Sequence, residues 1–451
     1  MSVLQYIDTN HILYGVSGYI VYIFVYKVWI WPHFLSPLRK VPGPPLGNII
    51  FGQSPNIIRS EVGTNEKKWV REYGPTIRIV GAFGTERMLF LSPEALRQVL
   101  VKDWLEYPRP GFVKNILGLA TGYGLLTVTG DEHKQMRKAM NPAFSLPNLI
   151  SQTNMYYEPI EGLINIFKDK VGKEDSEKGS IIHVYEWMSK VTLDIICETA
   201  FGYRADSLHN PHNELAEAYE LLLSLQSGVN LAKLSFLVTL PGGPSILASK
   251  WAYNWRNVLR KLPIFSPLGD FVDAMYRIRK LSKAMLEEKM KDADLPLTDM
   301  EAKRDIMSIL VRARRAEQEG GKDGYAMSDR AMMDQVLTFL GAGHETTASG
   351  LTWTLWFLAN SLDDQRRLRA ELEPIFANES RPEYRILKDL QWLDAVVMEG
   401  LRIMPPVPVT AREAAKTDYI DGVLVPKGTL IYIPIRVMNS YKGVWGEDAD
   451  E

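Results

Sequence analysis

Four short stretches carry side chains whose types and spacing could do chemistry. The first is Gly341-Ala342-Gly343-His344-Glu345-Thr346-Thr347, in the middle of an apolar-periodic run from Ser328 to Ala359. A glycine inside a helix costs about 1 kcal/mol relative to alanine, so two of them call for a reason. One reason is close approach of a flat ligand. A second is a kink, because an acid and hydroxyls beside the glycines can open the hydrogen-bond ladder and hold water. The third is helix–helix packing through small residues, and the sequence weighs ligand and packing evenly.

The second stretch is Glu399-Gly400-Leu401-Arg402, stopped by Pro405-Pro406. Glu and Arg at i, i+3 share a helix face and can pair. Most such pairs are weak surface contacts. Here Val396, Val397, Met398, Leu401 and Ile403 flank the pair, so partial burial is expected and its loss would be costly. In the third stretch, His133 and Arg137 at i, i+4 can point donors at one anion, or simply form a solvated basic face. The fourth is Arg412, on an extended stretch after Pro405-Pro406-Val407-Pro408, where a cation can reach a carboxylate or remain solvated.

Other chemistries are excluded. Cys197 is the only cysteine, which rules out a disulfide framework and any site built from several thiolates. The seven histidines include no HExxH, and His209 and His212 are split by a proline with no third ligand nearby, so no metal site is expected from them. Cys197 lies in Asp194-Ile195-Ile196-Cys197-Glu198-Thr199-Ala200-Phe201, an apolar helical stretch where a thiol packs inertly. A formal net charge of −2 gives no global basic field, so no nucleic-acid partner is expected. With 46% apolar and 24% charged residues over 451 positions, the composition is globular and supports a sizeable core.

These stretches need elements to position them. Ile12 to Trp31 is apolar apart from Lys27, and about 20 helical residues span roughly 30 Å, one hydrocarbon core. Aromatic residues and a snorkelling Lys27 suit a membrane interface. No positive n-region or small-residue cleavage site marks a cleaved signal, and Lys27, Arg39 and Lys40 place the main body in the cytoplasm. Residues 1–37 therefore read as a signal anchor in the endoplasmic reticulum. Residues 38–48 read as a stiff Pro-rich hinge holding the head at a fixed offset, and residues 49–451 as the main domain. Thr76 to Leu91 reads as a hairpin around Gly81 to Gly84, followed by a helix capped by Ser92. From Asp131 to Gln391 the period is helical, interrupted by charged loops at 168–178 and 317–323. Tyr419-Ile420, Asp421-Gly422 and Val423 to Val425 form a second hairpin, with a further strand at Thr429 to Ile433. The fold class is mainly α, with a small β-sheet contributed by both ends. Leu231 to Leu247, with Trp251, Tyr253 and Trp255, either dips into a bilayer, roofs a pocket or packs as ordinary core.

Taken together, the order of these features is informative. Pro-rich hinge, His/Arg helix, AGHETT helix, ExxR helix, Pro-Pro, Arg and late hairpin follow one another as in microsomal cytochromes P450, which the chain resembles from the anchor to Glu451. Met140-Asn141-Pro142-Ala143-Phe144 and Trp445-Gly446-Glu447-Asp448-Ala449 look most like fungal members. The resemblance implies a P450-like fold with haem as cofactor and electrons from NADPH through a membrane-bound reductase. It also implies insertion of one oxygen atom from O2 into a lipophilic substrate. By the same match Ala342 and Gly343 make room for dioxygen, and Glu345 and Thr346 relay protons. His133, Arg137 and Arg412 hold the haem propionates, and Glu399 and Arg402 form the structural pair behind the proximal face. The family's next segment carries the cysteine that ligates iron, a thiolate essential to its chemistry. The chain is therefore expected to be a C-terminally truncated form without that ligand. Neither Cys197 nor His344 is expected to replace it. The alternative is a non-catalytic, membrane-anchored remnant with a binding or regulatory role.

Overall fold

A computed structural model describes residues 9–173, 180–225, 228–263, 265–292, 305–318 and 327–450. The chain divides into two compact units, one formed by Met1–Pro110 with Val407–Glu451 and the other by Gly111–Pro406.

The first unit begins with helix α1 (Thr9–Val25), which continues in wider turns through Tyr26–Leu35. Pro32 lies inside those turns; it has no N–H to give, which favours the wider hydrogen-bond spacing. Leu13–Leu35 is long and apolar enough to cross a membrane, with a mean hydropathy of 1.4 and few buried side chains. The Pro-rich stretch lies against the first strand. Leu38 is fully buried, and Arg78 N donates to Pro42 O at 2.9 Å, so the segment is strapped onto the first strand. Prolines suit a strap of this kind, because they keep the chain extended without needing donors of their own.

Strands β1 (Thr76–Val80), β2 (Glu86–Phe90), β3 (Thr410–Glu413), β4 (Asp418–Ile420), β5 (Val423–Val425) and β6 (Leu430–Ile433) form two sheets. The larger has the order β1-β2-β6-β3. β1 and β2 are antiparallel, β6 runs parallel to β2, and β3 is antiparallel to β6. Ile77 and Ile79 are fully buried on β1 while Thr76 and Arg78, which alternate with them, are not, the period-2 pattern of a half-buried strand. β4 and β5 pair through Asp421 (φ 51°) and Gly422 (φ 74°), two left-handed residues that close a tight hairpin with the twist of the strands.

The second unit is helical. Its elements used below are α2 (Gly130–Met140), α3 (Val184–Phe201), α4 (Glu214–Ser224), α5 (Ser266–Asp292), α6 (Asp329–Gly343), α7 (Glu345–Asn360) and α8 (Gln391–Ile403). Ser328 Oγ accepts from Ala331 N and caps α6, as expected. Met332, Val336 and Leu340 recur every fourth residue along α6 and are fully buried. They share one core with Met136 and Met140 of α2, Cys197 and Phe201 of α3, and Ile278 of α5. Residues 168–173 extend the helix Thr153–Lys173 instead of opening a loop, and Glu317 and Gln318 close the helix Ile306–Gln318. Residues 174–178 and 319–323 of the expected charged loops lie outside the described residues. The 231–247 stretch forms helices Gly228–Thr239 and Gly243–Leu247; Val238 and Leu247 are buried, while Leu231, Phe236, Ile246, Trp251 and Trp255 are exposed.

Candidate functional site

The glycine-bearing helix is broken. α6 ends at Gly343 and α7 begins at Glu345, with His344 between them. Thr346 Oγ1 donates to Ala342 O at 2.7 Å and Thr347 Oγ1 to Gly343 O at 3.0 Å, so hydroxyls satisfy carbonyls at the break. Thr192 Oγ1 of α3 donates to His344 O at 3.0 Å and braces it from outside. Of the readings open in the sequence, the opened hydrogen-bond ladder is present, at His344. Packing is present as well. A Cβ on Gly343 would lie 2.7 Å from Ile196 Cγ1 of α3, and one on Gly341 would lie 2.8 Å from Thr121 Cγ2.

Glu345 and Thr346 face different partners. The Glu345 carboxylate accepts from Tyr185 Oη at 2.5 Å and Ser189 Oγ at 3.0 Å, both on α3. His344 Nε2 stands 2.8 Å from Glu345 Oε1 but makes no hydrogen bond. Burial pushes the Glu345 carboxyl up, but His344, Tyr185 and Ser189 outweigh it and hold the group below the usual carboxylate range. Burial, then the bond to Glu345 and its charge, push the Tyr185 phenol up, so it remains a donor. His344 is fully buried, with Nδ1 2.7 Å from Leu340 O and its ring edge-on to Tyr219 of α4 at 4.4 Å between centroids. Nδ1 is held at Leu340 O, while Nε2 faces the Glu345 carboxylate without a hydrogen bond. Cys197 is fully buried, and burial, then Asp194 and Glu198, raise its thiol well above the ordinary range. That environment suits a packing thiol and opposes a thiolate ligand.

In α8, Arg402 forks onto Glu399, Nε to Oε2 at 2.7 Å and Nη2 to Oε1 at 2.5 Å. The arginine side chain is 11% exposed and the glutamate 52%, so the expected burial holds for one partner of the pair. α8 reaches α7 through small residues: a Cβ on Gly400 would come within 2.5 Å of Thr354 Oγ1. On α2, His133 is half-buried and Arg137 exposed; Arg137 makes no ion pair among the described residues.

In the strand unit, Arg412 stands half-buried on β3, where Nη1 donates to Thr410 Oγ1 at 3.1 Å and Ala411 O at 2.8 Å. Alongside runs Glu106 to Pro110, tied to the chain at β3 by Glu413 N to Pro108 O and Ala415 N to Glu106 O, both 2.9 Å. This brings Arg109 near Arg412. Burial, then the charge of Arg109, hold the Arg412 guanidinium below its usual range, and burial does the same to Arg109. Neither has a carboxylate partner among the described residues. Two desolvated cations without a counter-charge are the donor set an anionic group such as a haem propionate would meet.

The sequence model of the cytochrome P450 family matches residues 42–451. The chain belongs to the cytochrome P450 family. Cytochrome P450 monooxygenase 205 of Postia placenta is 32% identical over 442 residues, covering 92% of this chain and 76% of that one. Cytochrome P450 monooxygenase FUM15 of Gibberella moniliformis is 27% identical over 445 residues, covering 95% and 70%. Ganoderic acid synthetase CYP5150L8 of Ganoderma lucidum is 29% identical over 469 residues, covering 98% and 82%. The fungal texture read from the sequence therefore agrees with the relatives, and the mainly helical P450 fold with small sheets agrees with the structure. As a P450, the chain belongs among oxidoreductases of the monooxygenase type. Four residues that this P450 places at its polar clusters escaped the sequence reading: Arg109, Tyr185, Ser189 and, as a partner of Glu345, His344. Only Arg109 carries a sequence signal, an arginine between two prolines in Tyr107-Pro108-Arg109-Pro110, held extended with no acid beside it.

Proposed function

We propose that this P450 is a haem-dependent monooxygenase that inserts one oxygen atom from O2 into a lipophilic organic substrate. Electrons come from NADPH through a reductase in the same membrane. The N-terminal helix anchors it, as a single pass, in the endoplasmic reticulum with the main body in the cytoplasm. The observation that carries the haem reading is the pair of uncompensated guanidiniums, Arg109 and Arg412. With His133 and Arg137 on α2, they are the groups assigned to the propionates. Haem, when bound, supplies the activation of dioxygen. Ala342 and Gly343 are the small residues assigned to making room for dioxygen at the break in the helix, with Ile196 packed against Gly343, and Thr346 holds a hydroxyl there for proton delivery. Glu345, kept ionised by Tyr185, Ser189 and His344, supplies the acid–base partner of that hydroxyl. Glu399 and Arg402 hold α8 in shape. Cys197 does not fit an axial thiolate, and no step is assigned to it.

The test is haem retention by the 451-residue chain, measured as the pyridine haemochrome after gel filtration in detergent. Arg109→Ala and Arg412→Ala should each lose haem while keeping the far-ultraviolet circular dichroism of the parent. Undiminished haem in both variants would remove the propionate assignment. A thiolate-type carbonyl complex abolished by Cys197→Ser would overturn the packing role of Cys197.

A further inference from the structure

The two ring nitrogens of His344, buried at the break between α6 and α7, meet different surroundings. Nδ1 lies 2.7 Å from Leu340 O, the carbonyl one turn back. A carbonyl only accepts, so Nδ1 carries a hydrogen and the open proton site of the ring is Nε2. Nε2 is buried with no hydrogen-bond partner among the described residues, and Glu345 Oε1 stands 2.8 Å away. The carboxylate accepts from Tyr185 Oη and Ser189 Oγ, and donors aimed at a carboxylate favour its charged form. A proton belonging to the pair therefore settles on Nε2. An isolated buried imidazolium is costly, but beside a carboxylate the two charges leave the core neutral.

The groups on the helices packed against His344 do not oppose this arrangement. Tyr219 of α4 meets the ring edge-on at 4.4 Å, and Cys197 of α3 lies in the adjoining core. Burial, then neighbouring negative charge, raises both well above their ordinary ranges, so both stay uncharged. Asp194 and Glu198 of α3 line a separate cavity beside Arg204 and His209. On α4, Glu214 and Glu217 are taken by Arg277, and Glu220 stands by Lys190 of α3, which also pairs with Glu186.

Insertion of one oxygen atom from O2, with the other leaving as water, consumes two protons per turnover. An ionised Glu345 brings none of its own, and the Thr346 hydroxyl passes protons on without supplying any. We infer that His344 Nε2 stores the proton that Glu345 delivers, so that His344 acts through the acid. In the transfer the Nε2–H bond breaks as an O–H bond forms on Glu345, leaving a neutral imidazole with its hydrogen on Nδ1. The carboxyl must turn onto the Nε2–H axis for this, since the two make no hydrogen bond as they stand. Solvent returns the proton from the α3 side, where Tyr185 is 40% exposed. The inference rests on the reading of Glu345 as acid–base partner of Thr346.

Gly343–His344 is the only Gly–His step in the sequence, so isotope labelling of glycine carbonyls and of histidine singles out this ring among seven in solid-state NMR of the full chain. At neutral pH both ring nitrogens should carry a hydrogen in the parent, and Nδ1 alone in Glu345→Gln. Nε2 bare in the parent, or protonated in both, overturns the store; the parent spectrum decides by itself if the variant does not fold. Peroxide formed per NADPH by a haem-loaded preparation tests the relay separately, and His344→Gln should raise it several-fold. Peroxide unchanged in His344→Gln but raised in Glu345→Gln overturns the store and leaves the role of Glu345 intact. Peroxide unchanged in both removes that role, and the store with it.

Discussion

Gly343→Ala separates a glycine kept for helix packing from one kept open for a ligand. The new Cβ would fall 2.7 Å from Ile196 Cγ1 and 2.8 Å from Ile196 Cδ1, closer than real contacts allow. Ile196 is β-branched and stiff at χ1, so it cannot swing clear without moving α3. Overpacking of this kind costs about 1–3 kcal/mol, whereas alanine gains up to about 1 kcal/mol over glycine in a helix. The net expectation is a loss of about 0–3 kcal/mol. Ile196→Ala removes both clashing carbons, and with them the cost. In that background Gly343→Ala should turn stabilising, by up to about 1 kcal/mol, for a coupling of about 1–3 kcal/mol. Urea midpoints of the full chain and its three variants in detergent measure the cycle. If Gly343→Ala stabilises both backgrounds equally, α6 does not rest on Ile196, and the open-site reading of Gly343 gains at the expense of packing.

Tyr185→Phe removes one of the bonds holding the Glu345 carboxyl low, at a cost of roughly 1.5 kcal/mol at neutral pH for a bond to a charged acceptor. A depressed carboxyl stabilises the fold above its unfolded value of about 4.3, and that contribution fades as pH falls through the folded value. The loss of stability between the unfolded and folded values should therefore be smaller and be complete at higher pH in the variant, and an unchanged acid limb would detach Tyr185 from Glu345. Arg402→Ala should cost about 1–3 kcal/mol, between an exposed pair and a buried one, because the glutamate is half exposed and the arginine is not. Arg402→Lys should recover only part of the loss, since an ammonium cannot reproduce the two-pronged fork; full recovery in the thermal midpoint would show that charge alone suffices. Thr346→Ala should leave the fold stable but divert NADPH electrons to peroxide in an active, haem-loaded preparation. Product yield per NADPH equal to the parent's would remove Thr346 from proton delivery.

What was legible in the sequence was local. Asp421-Gly422 announced its hairpin because only a left-handed pair closes a two-residue loop, and Ser92 and Ser328 announced helix starts through the donors they cap. The Glu399–Arg402 pair was legible because both ends lie on one helical turn. Interactions that join distant segments were not. Nothing near Arg109 reveals that β3 will bring Arg412 beside it, and nothing near Glu345 points to Tyr185 and Ser189 on another helix. The glycines at 341 and 343 stayed ambiguous for the same reason, since Thr121 and Ile196 become their neighbours only after folding. The Pro-rich stretch reads as a stiff hinge because prolines favour extension. Extension is equally compatible with lying along β1, and the burial of Leu38 decides for that.

The sheet order has a consequence for biosynthesis. β2 pairs on one side with β1, made almost at once, and on the other with β6, which lies beyond the whole helical unit. At translation rates of about 5–20 residues per second, the open edge of β2 waits roughly 20–70 s for its parallel partner. During that interval Met88 and Phe90, both fully buried in the finished sheet, have no cover from the C-terminal strands. An unpaired apolar edge invites pairing with other nascent chains. The yield of this protein in a cell should therefore depend on chaperones that act while the ribosome is still reading, more than on the equilibrium stability of the finished fold.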